Sequence, residues 1–377
     1  MDRSPGFRCF LNPRAGAPGI VVLPEAGFRR ARAAITAWPG YAPTPLRDLP
    51  GLATGTGVAA IRIKDESGRF GLGSFKALGG AYAVDLAVAA EAASRAVPIA
   101  SLTVTCATDG NHGRAVAWGA ARAGCRAVIF VHATVSPGRA EAIARLGAEI
   151  RRVPGTYDDA VRAAAATAEA EGWIVVSDTS WPGYTEIPRA VMQGYRVMAD
   201  EAADQWTGAP PTHVFIQGGV GGVAAAVAVQ ARARFAPAPS MVSAPSIIIV
   251  EPDRAACLLA SAEAGRAVAV GGQLDTIMAG LACGEPSLLA WQVLERAAAA
   301  FLAIPDDAAV TAMRALASEG VEAGESGAAG AAGLMVAAAD PAARAALGLD
   351  RRSRVLLFGT EGATDPELYR RLVPARG

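Results

Sequence analysis

The sequence predicts an α/β protein built on parallel sheets covered by helices. Three observations carry this. Short β-branched runs recur along the chain, Ala-rich stretches of helical pattern separate them, and the runs are apolar with little alternation. A strand that is apolar on both faces is buried on both, as in a parallel sheet with helices on either side.

In chain order, "IRIKDES" (61–67) is strand-like. It is followed by "SLTVTCAT" (101–108), "RAVIFVH" (126–132), "AEIRRVP" (148–154) and "WIVVSDT" (173–179), each separated from the next by helical pattern. A second set follows: "HVFIQ" (213–217), "SIIIVEP" (246–252) and "RVLLFGT" (354–360). The helical stretch "YTEIPRAVMQGYRVMADEA" (184–202) leads from one set to the other. The predicted organisation is a larger domain of residues 1–90 and 200–377, with a smaller α/β domain, 91–199, inserted into it. Ligands of such sheets collect at the carboxyl ends of strands, here in the cleft between the two domains.

Composition narrows the function classes. Of 377 residues, 52% are hydrophobic and 19% charged, and the formal net charge is +0. That balance gives no electrostatic footprint for nucleic acid or an anionic membrane. No apolar run approaches the ~18 residues that span a bilayer. The opening "MDRSPGFRCFLNPRAG" lacks the apolar stretch of a secretory signal, so a cytoplasmic protein is expected. Five cysteines form no CxxC pair and three histidines are scattered, so no metal is expected. A Cys257–Cys283 link stays open.

Lysine usage is the sharpest compositional signal. The chain has 35 Lys plus Arg, and only Lys64 and Lys76 are lysines. Arginine replaces lysine where charge suffices, but not where a primary amine must lose its proton and attack a carbonyl. Lys76 sits in the glycine-rich "GRFGLGSFKALGG" (68–80). Lys64, beside Asp65 and Glu66, reads as an ion-pair residue.

Three strand ends carry unusual loops. "CATDGNHG" places Asp109, Gly110, Asn111 and His112 between a strand and a helix. Such a loop is either a seat for an anion at the helix N-terminus or an ordinary capped turn. "QGGVGG" places Gly218, Gly219, Val220, Gly221 and Gly222 where backbone N–H groups can hold a phosphate. A dinucleotide site with Glu251 on the ribose competes, although its spacing exceeds the usual ~20 residues. "FGTEG" ends a strand at Thr360. An amine, a phosphate nest and a strand-end hydroxyl together describe a pyridoxal 5′-phosphate site.

The ordered set "KDESGRFGLGSFKALGGAYAV", "ATDGNHGRAVAW", "SDTSWPGYTEIPRAVMQGY", "QGGVGG", "IIVEPD", "TIMAGLACGEPS", "GESGAAG" and "TEGATDPELYR" resembles the diaminopropionate ammonia-lyases. These are fold type II, tryptophan-synthase-β-like enzymes, and the resemblance runs from about residue 40 to 370. It implies two doubly wound sheet domains, pyridoxal 5′-phosphate as cofactor, an amino-acid substrate and a homodimer. It also implies elimination of ammonia from 2,3-diaminopropionate, giving pyruvate and two ammonia.

Residue by residue, the resemblance makes Lys76 the imine-forming lysine, Asn111 the partner of the ring hydroxyl oxygen, Gly218–Gly222 the phosphate loop and Thr360 the partner of the ring nitrogen. Lys76, Asp109 and Asp178 are the expected catalytic residues. Asp109 is a carboxylate where dehydratases of this fold carry a small uncharged residue. A β-amino substrate calls for that acid. Substrate contacts are expected from Ser74, Thr108, Asp109, Gly110, His112 and Asp178. Gly73, Ala363 and the smooth "QGGVGGVAAA" depart from the family pattern. They leave open a same-fold enzyme of serine or threonine dehydratase type, acting on another β-substituted amino acid by elimination or replacement.

Overall fold

The computed structural model describes residues 7–236 and 244–374, with Asp158 by its backbone alone. The N-terminal stretch read above for a secretory signal lies partly outside that range. Two compact units emerge: Met1–Val22, Pro43–Gly68 and Met198–Gly377 form the larger, and Leu23–Ala42 with Arg69–Val197 the smaller.

The larger unit holds strands β1 (Arg8–Leu11), β2 (Leu46–Asp48), β3 (Ala60–Asp65), β8 (His213–Gln217), β9 (Ser246–Pro252), β10 (Ala300–Ile304) and β11 (Arg354–Gly359). Their spatial order is β1-β10-β9-β8-β11-β3-β2. The five inner strands are parallel and both edge strands antiparallel. Ile61, Ile63, Phe215, Ile248, Val250, Leu302, Ile304, Val355 and Leu357 line one face of this sheet and pack into a single core. Val214, Ile216 and Ile249 on the other face are equally buried, which explains the unbroken apolar runs.

The smaller unit holds β4 (Thr103–Ala107), β5 (Arg126–His132), β6 (Glu149–Val153) and β7 (Ile174–Val175), in the order β6-β5-β4-β7, all parallel. The four strands expected here are present, but "WIVVSDT" supplies only two paired residues. The Val176 N–H still donates to the Thr105 carbonyl (2.8 Å), yet its own carbonyl turns to His112 Nε2 (2.8 Å) and the chain leaves the sheet. β10 lies outside the predicted set. Its "AFLAI" is fully buried, but it follows an Ala-rich run that reads as helix.

The units divide differently from the sequence boundaries. Residues 69–90 lie in the smaller unit, because the helix Lys76–Arg95 packs at backbone distance on the helices Asn111–Ala123 and Glu186–Gln205. A Cβ at Gly80 would stand 2.8 Å from Ala115 Cβ, and one at Gly119 2.7 Å from Ala81 Cα. At Gly194 it would stand 2.0 Å from the Leu78 carbonyl oxygen. Residues 23–42 join the same unit through Trp38, whose ring meets Phe70 (5.8 Å) and Trp118 (5.6 Å). Arg122 lies over Trp38 at 4.1 Å. Among the described residues no helix is long and apolar enough to cross a membrane.

Gly194→Ala is therefore expected to cost about 1–3 kcal/mol, the usual range for overpacking. Gly138→Ala, with nothing within 4 Å of the added methyl, should leave stability unchanged or raise it. Denaturant midpoints of the two variants check the contrast.

Candidate active site

In the smaller unit, parallel strands bring their carboxyl ends to one edge. β4 leads into residues 108–110, β5 ends at His132, and β7 leads into Ser177 and Asp178. β4 lies between the other two, so their loops are neighbours.

Lys76 opens the helix Lys76–Arg95. Its Nζ donates to Asp178 Oδ2 at 2.5 Å, with the rings of Phe75 and Tyr195 centred 5.4 and 5.8 Å away. Burial alone would raise the Asp178 pKa. The Lys76 ammonium and its hydrogen bond override burial and hold the carboxyl well below the usual carboxylate range. Tyr184 braces this loop: its hydroxyl donates to the Val175 carbonyl (2.8 Å) and accepts from the Ser177 N–H (3.0 Å).

His112 is buried, and burial lowers its pKa so that the ring is neutral. With Nε2 donating to the Val176 carbonyl, Nδ1 is left as an acceptor, 3.8 Å from Asp178 Oδ2. Thr108 shapes its own loop: Oγ1 accepts from the N–H groups of Gly110 and Gly113, each at 3.0 Å. Gly110 has φ +151, which favours glycine. Asn111 is the first residue of the following helix, and Ser74 is buried just before Lys76. Asp109 pairs with His132, whose Nε2 lies 2.5 Å from Oδ1.

In the larger unit, β8, β9 and β11 are adjacent, so their carboxyl ends gather the glycine loop, Glu251 and Thr360. Gly221 has φ +96, and the 14-residue helix Gly222–Phe235 starts beyond it. A Cβ at Gly219 would lie 3.2 Å from both Cys283 Sγ and the Gly280 carbonyl oxygen. Gln217 Nε2 lies 2.9 Å from the Phe358 carbonyl, 3.3 Å from that of Gly327 and 2.5 Å from Thr360 Oγ1. Two carbonyl neighbours identify this atom as the amide nitrogen. Thr360 Oγ1 therefore accepts from Gln217 and keeps its own proton to donate elsewhere. Ser326 Oγ accepts from the Gly280 N–H at 3.1 Å.

The comparisons with known proteins agree. The model of the pyridoxal-phosphate dependent enzyme family matches residues 37–360. The chain is 42% identical to the diaminopropionate ammonia-lyase of Escherichia coli K12 over 363 residues, 89% of this chain and 88% of that one. A solved holo diaminopropionate ammonia lyase from Escherichia coli superposes with a TM-score of 0.89 at 37% identity, covering 99% of this chain and 97% of that one. Another, in complex with an aminoacrylate-PLP azomethine reaction intermediate, gives 0.88 at 38%, covering 98% and 97%. The chain belongs to the diaminopropionate ammonia-lyase family. It has the fold type II architecture, and its cofactor is pyridoxal phosphate.

The residues fit that cofactor. The chain supplies an amine beside an acid, a glycine loop at a helix N-terminus packed too closely on its neighbours to carry side chains at Gly218, Gly219 and Gly221, and a buried hydroxyl with a proton to donate to a ring nitrogen. The dinucleotide alternative fails on Glu251. This residue is fully buried, and its two oxygens accept from the N–H groups of Leu258 and Leu259, each at 2.8 Å. Burial pushes its pKa up to about 8. It caps a helix and does not face a ribose.

Lys64 is the ion-pair residue expected, and one of its partners, Glu201, is distant in sequence. Fully buried, it lies 2.7 Å from Glu201 Oε2. Gly73 has φ +77, so backbone geometry accounts for its glycine. At Ala363 the backbone N–H donates to Glu322 Oε1 (3.2 Å), so an acid lies beside that position after all. All five cysteines are thiols. Sequence reasoning missed Gln217, Tyr184 and His132. Gln217 and His132 carry one signal: each is a polar side chain closing a strand whose interior is apolar.

Borohydride reduction of the cofactor-loaded protein should label the Lys76 peptide alone; label on the Lys64 peptide would reverse the assignment. Thr360→Ala should weaken cofactor binding by about 1–2 kcal/mol, one hydrogen bond with partial burial. Unchanged affinity with an unchanged absorbance spectrum would move the ring-nitrogen contact to Ser326.

Proposed function

We infer that this chain is a pyridoxal-phosphate-dependent lyase that removes ammonia from 2,3-diaminopropionate, yielding pyruvate and two ammonia, with Lys76, Asp109 and Asp178 dividing the proton transfers. The observation that carries the assignment of roles is the Lys76–Asp178 contact at 2.5 Å.

Pyridoxal phosphate, when bound, supplies an aldehyde for the amino group and a conjugated ring that spreads the electron pair left at Cα. A lysine can take the Cα proton only as the neutral amine. Asp178 is the carboxylate positioned to pair with the ammonium that Lys76 becomes once it has taken that proton. Lys76 serves the L-isomer. Asp109, on a separate loop with its own histidine, serves the D-isomer. Asp109 and Asp178 also provide negative charge for the β-ammonium, which must leave as neutral ammonia. The residues proposed to hold the substrate are Ser74, Thr108, Asp109, Gly110, His112 and Asp178. Those for the cofactor are Lys76, Asn111, Gly218, Gly219, Val220, Gly221, Gly222 and Thr360. The functional form is a homodimer in the cytoplasm, a setting in keeping with five cysteine thiols.

A carboxylate close to the substrate's own carboxylate costs binding unless a cation offsets it. The β-ammonium of diaminopropionate does so, and the β-hydroxyl of serine does not. Asp109→Asn should therefore lose turnover of D-diaminopropionate most, by ~10²- to 10⁴-fold as for a general base. L-diaminopropionate should be affected less and residual L-serine elimination least. Pyruvate release from the three substrates measures this. Equal losses on all three would reduce Asp109 to a loop-shaping residue.

A further inference from the structure

We propose that His132 is a positioning residue for Asp109, and through it for turnover of the D-isomer; this rests on the role given to Asp109 above. His132 closes β5 at the edge where β4 delivers Asp109. The Thr108 N–H donates to the Phe130 carbonyl at 3.0 Å, so the two strand ends stay in register up to the loop. Two residues beyond Phe130, the imidazole meets Asp109: Nε2 lies 2.5 Å from Oδ1.

An ionised carboxylate only accepts, so Nε2 carries the proton and donates. The other ring nitrogen, Nδ1, lies 3.0 Å from Thr134 Oγ1, whose hydroxyl donates to it in the neutral ring. The ring is thus anchored at both nitrogens. Tyr157 packs edge-on against it, with ring centres 6.3 Å apart. The Arg152 guanidinium donates to the carbonyls of His132 (3.1 Å), Ala133 (3.0 Å) and Val135 (2.9 Å), holding the strand end beneath. The His132 side chain is 13% exposed and that of Asp109 37%, so a held donor grips one oxygen of a more open carboxylate. With Oδ1 committed to His132, Oδ2 is the oxygen that takes the Cα proton. Without the histidine the carboxylate rotates about its own side-chain bonds, and the base loses its aim. Misplacement of about 1 Å costs up to ~10²-fold.

A merely structural role for His132 would affect both isomers alike, and this distinguishes the two. In the cofactor-loaded enzyme, His132→Ala should lower kcat for D-diaminopropionate roughly 10- to 100-fold with KM little changed, and lower L-isomer turnover far less. His132→Gln, which returns an N–H donor near Nε2, should recover most of the loss. In an Asp109→Asn background, His132→Ala should add little, since the two act as one unit. Equal losses on both isomers, additive losses in the double variant, or failure of glutamine to rescue would each overturn the proposal. If Asp109→Asn cripples D-turnover and His132→Ala does not, only the role of His132 falls. If Asp109→Asn spares D-turnover, the role of Asp109 falls and that of His132 with it.

Discussion

Lys76 and Asp178 meet at 2.5 Å although 102 residues separate them, and much of the smaller unit is arranged to make that meeting possible. The lysine sits on the first residue of a helix whose glycines let two neighbouring helices approach at backbone distance. The aspartate sits past the end of a strand that leaves its sheet after two paired residues. Bulk at Gly80, Gly119 or Gly194 would move the lysine-bearing helix. A longer β7 would move the acid. Helix packing and strand termination therefore both converge on one ion pair, whose energy depends steeply on distance where burial lowers the effective dielectric.

The same unit keeps a second acid apart from the first. Asp178 has the Lys76 cation and a neutral, buried His112 as neighbours, while Asp109 has His132. Two carboxylates with different proton partners can act in the same reaction without sharing a proton. In the larger unit, too, buried polar groups set one another's orientation. Gln217 turns the Thr360 hydroxyl into a donor, Glu251 closes a helix end, and Lys64 neutralises Glu201. Each is buried, and the partner it binds fixes its orientation.

Much of the fold was legible from the chain alone. Apolar runs gave the parallel strands, because a strand covered on both faces has no polar face to show. The short β7, the antiparallel edges and β10 were not legible. β7 ends because a carbonyl prefers a histidine 64 residues away, and β10 is Ala-rich beside Ala-rich helix. The assignment of residues 69–90 also escaped the sequence, since helix packing through glycines leaves no periodic hydrophobic signature.

The sequence by itself determined the chemistry: one lysine in a glycine-rich turn, a glycine nest, an acid before Gly-Asn and a strand-end hydroxyl, in an order that specifies a cofactor and a family. These are local patterns, and residue type alone carries their meaning. Pairing was decided only in three dimensions. Nothing in "RAVIFVH" announces that His132 reaches Asp109, and nothing in "HVFIQ" announces that Gln217 fixes the Thr360 proton. Nor does "IRIKDES" reveal that Lys64 reaches Glu201, far along the chain. Strand order and register set those distances, and they are properties of the folded sheet.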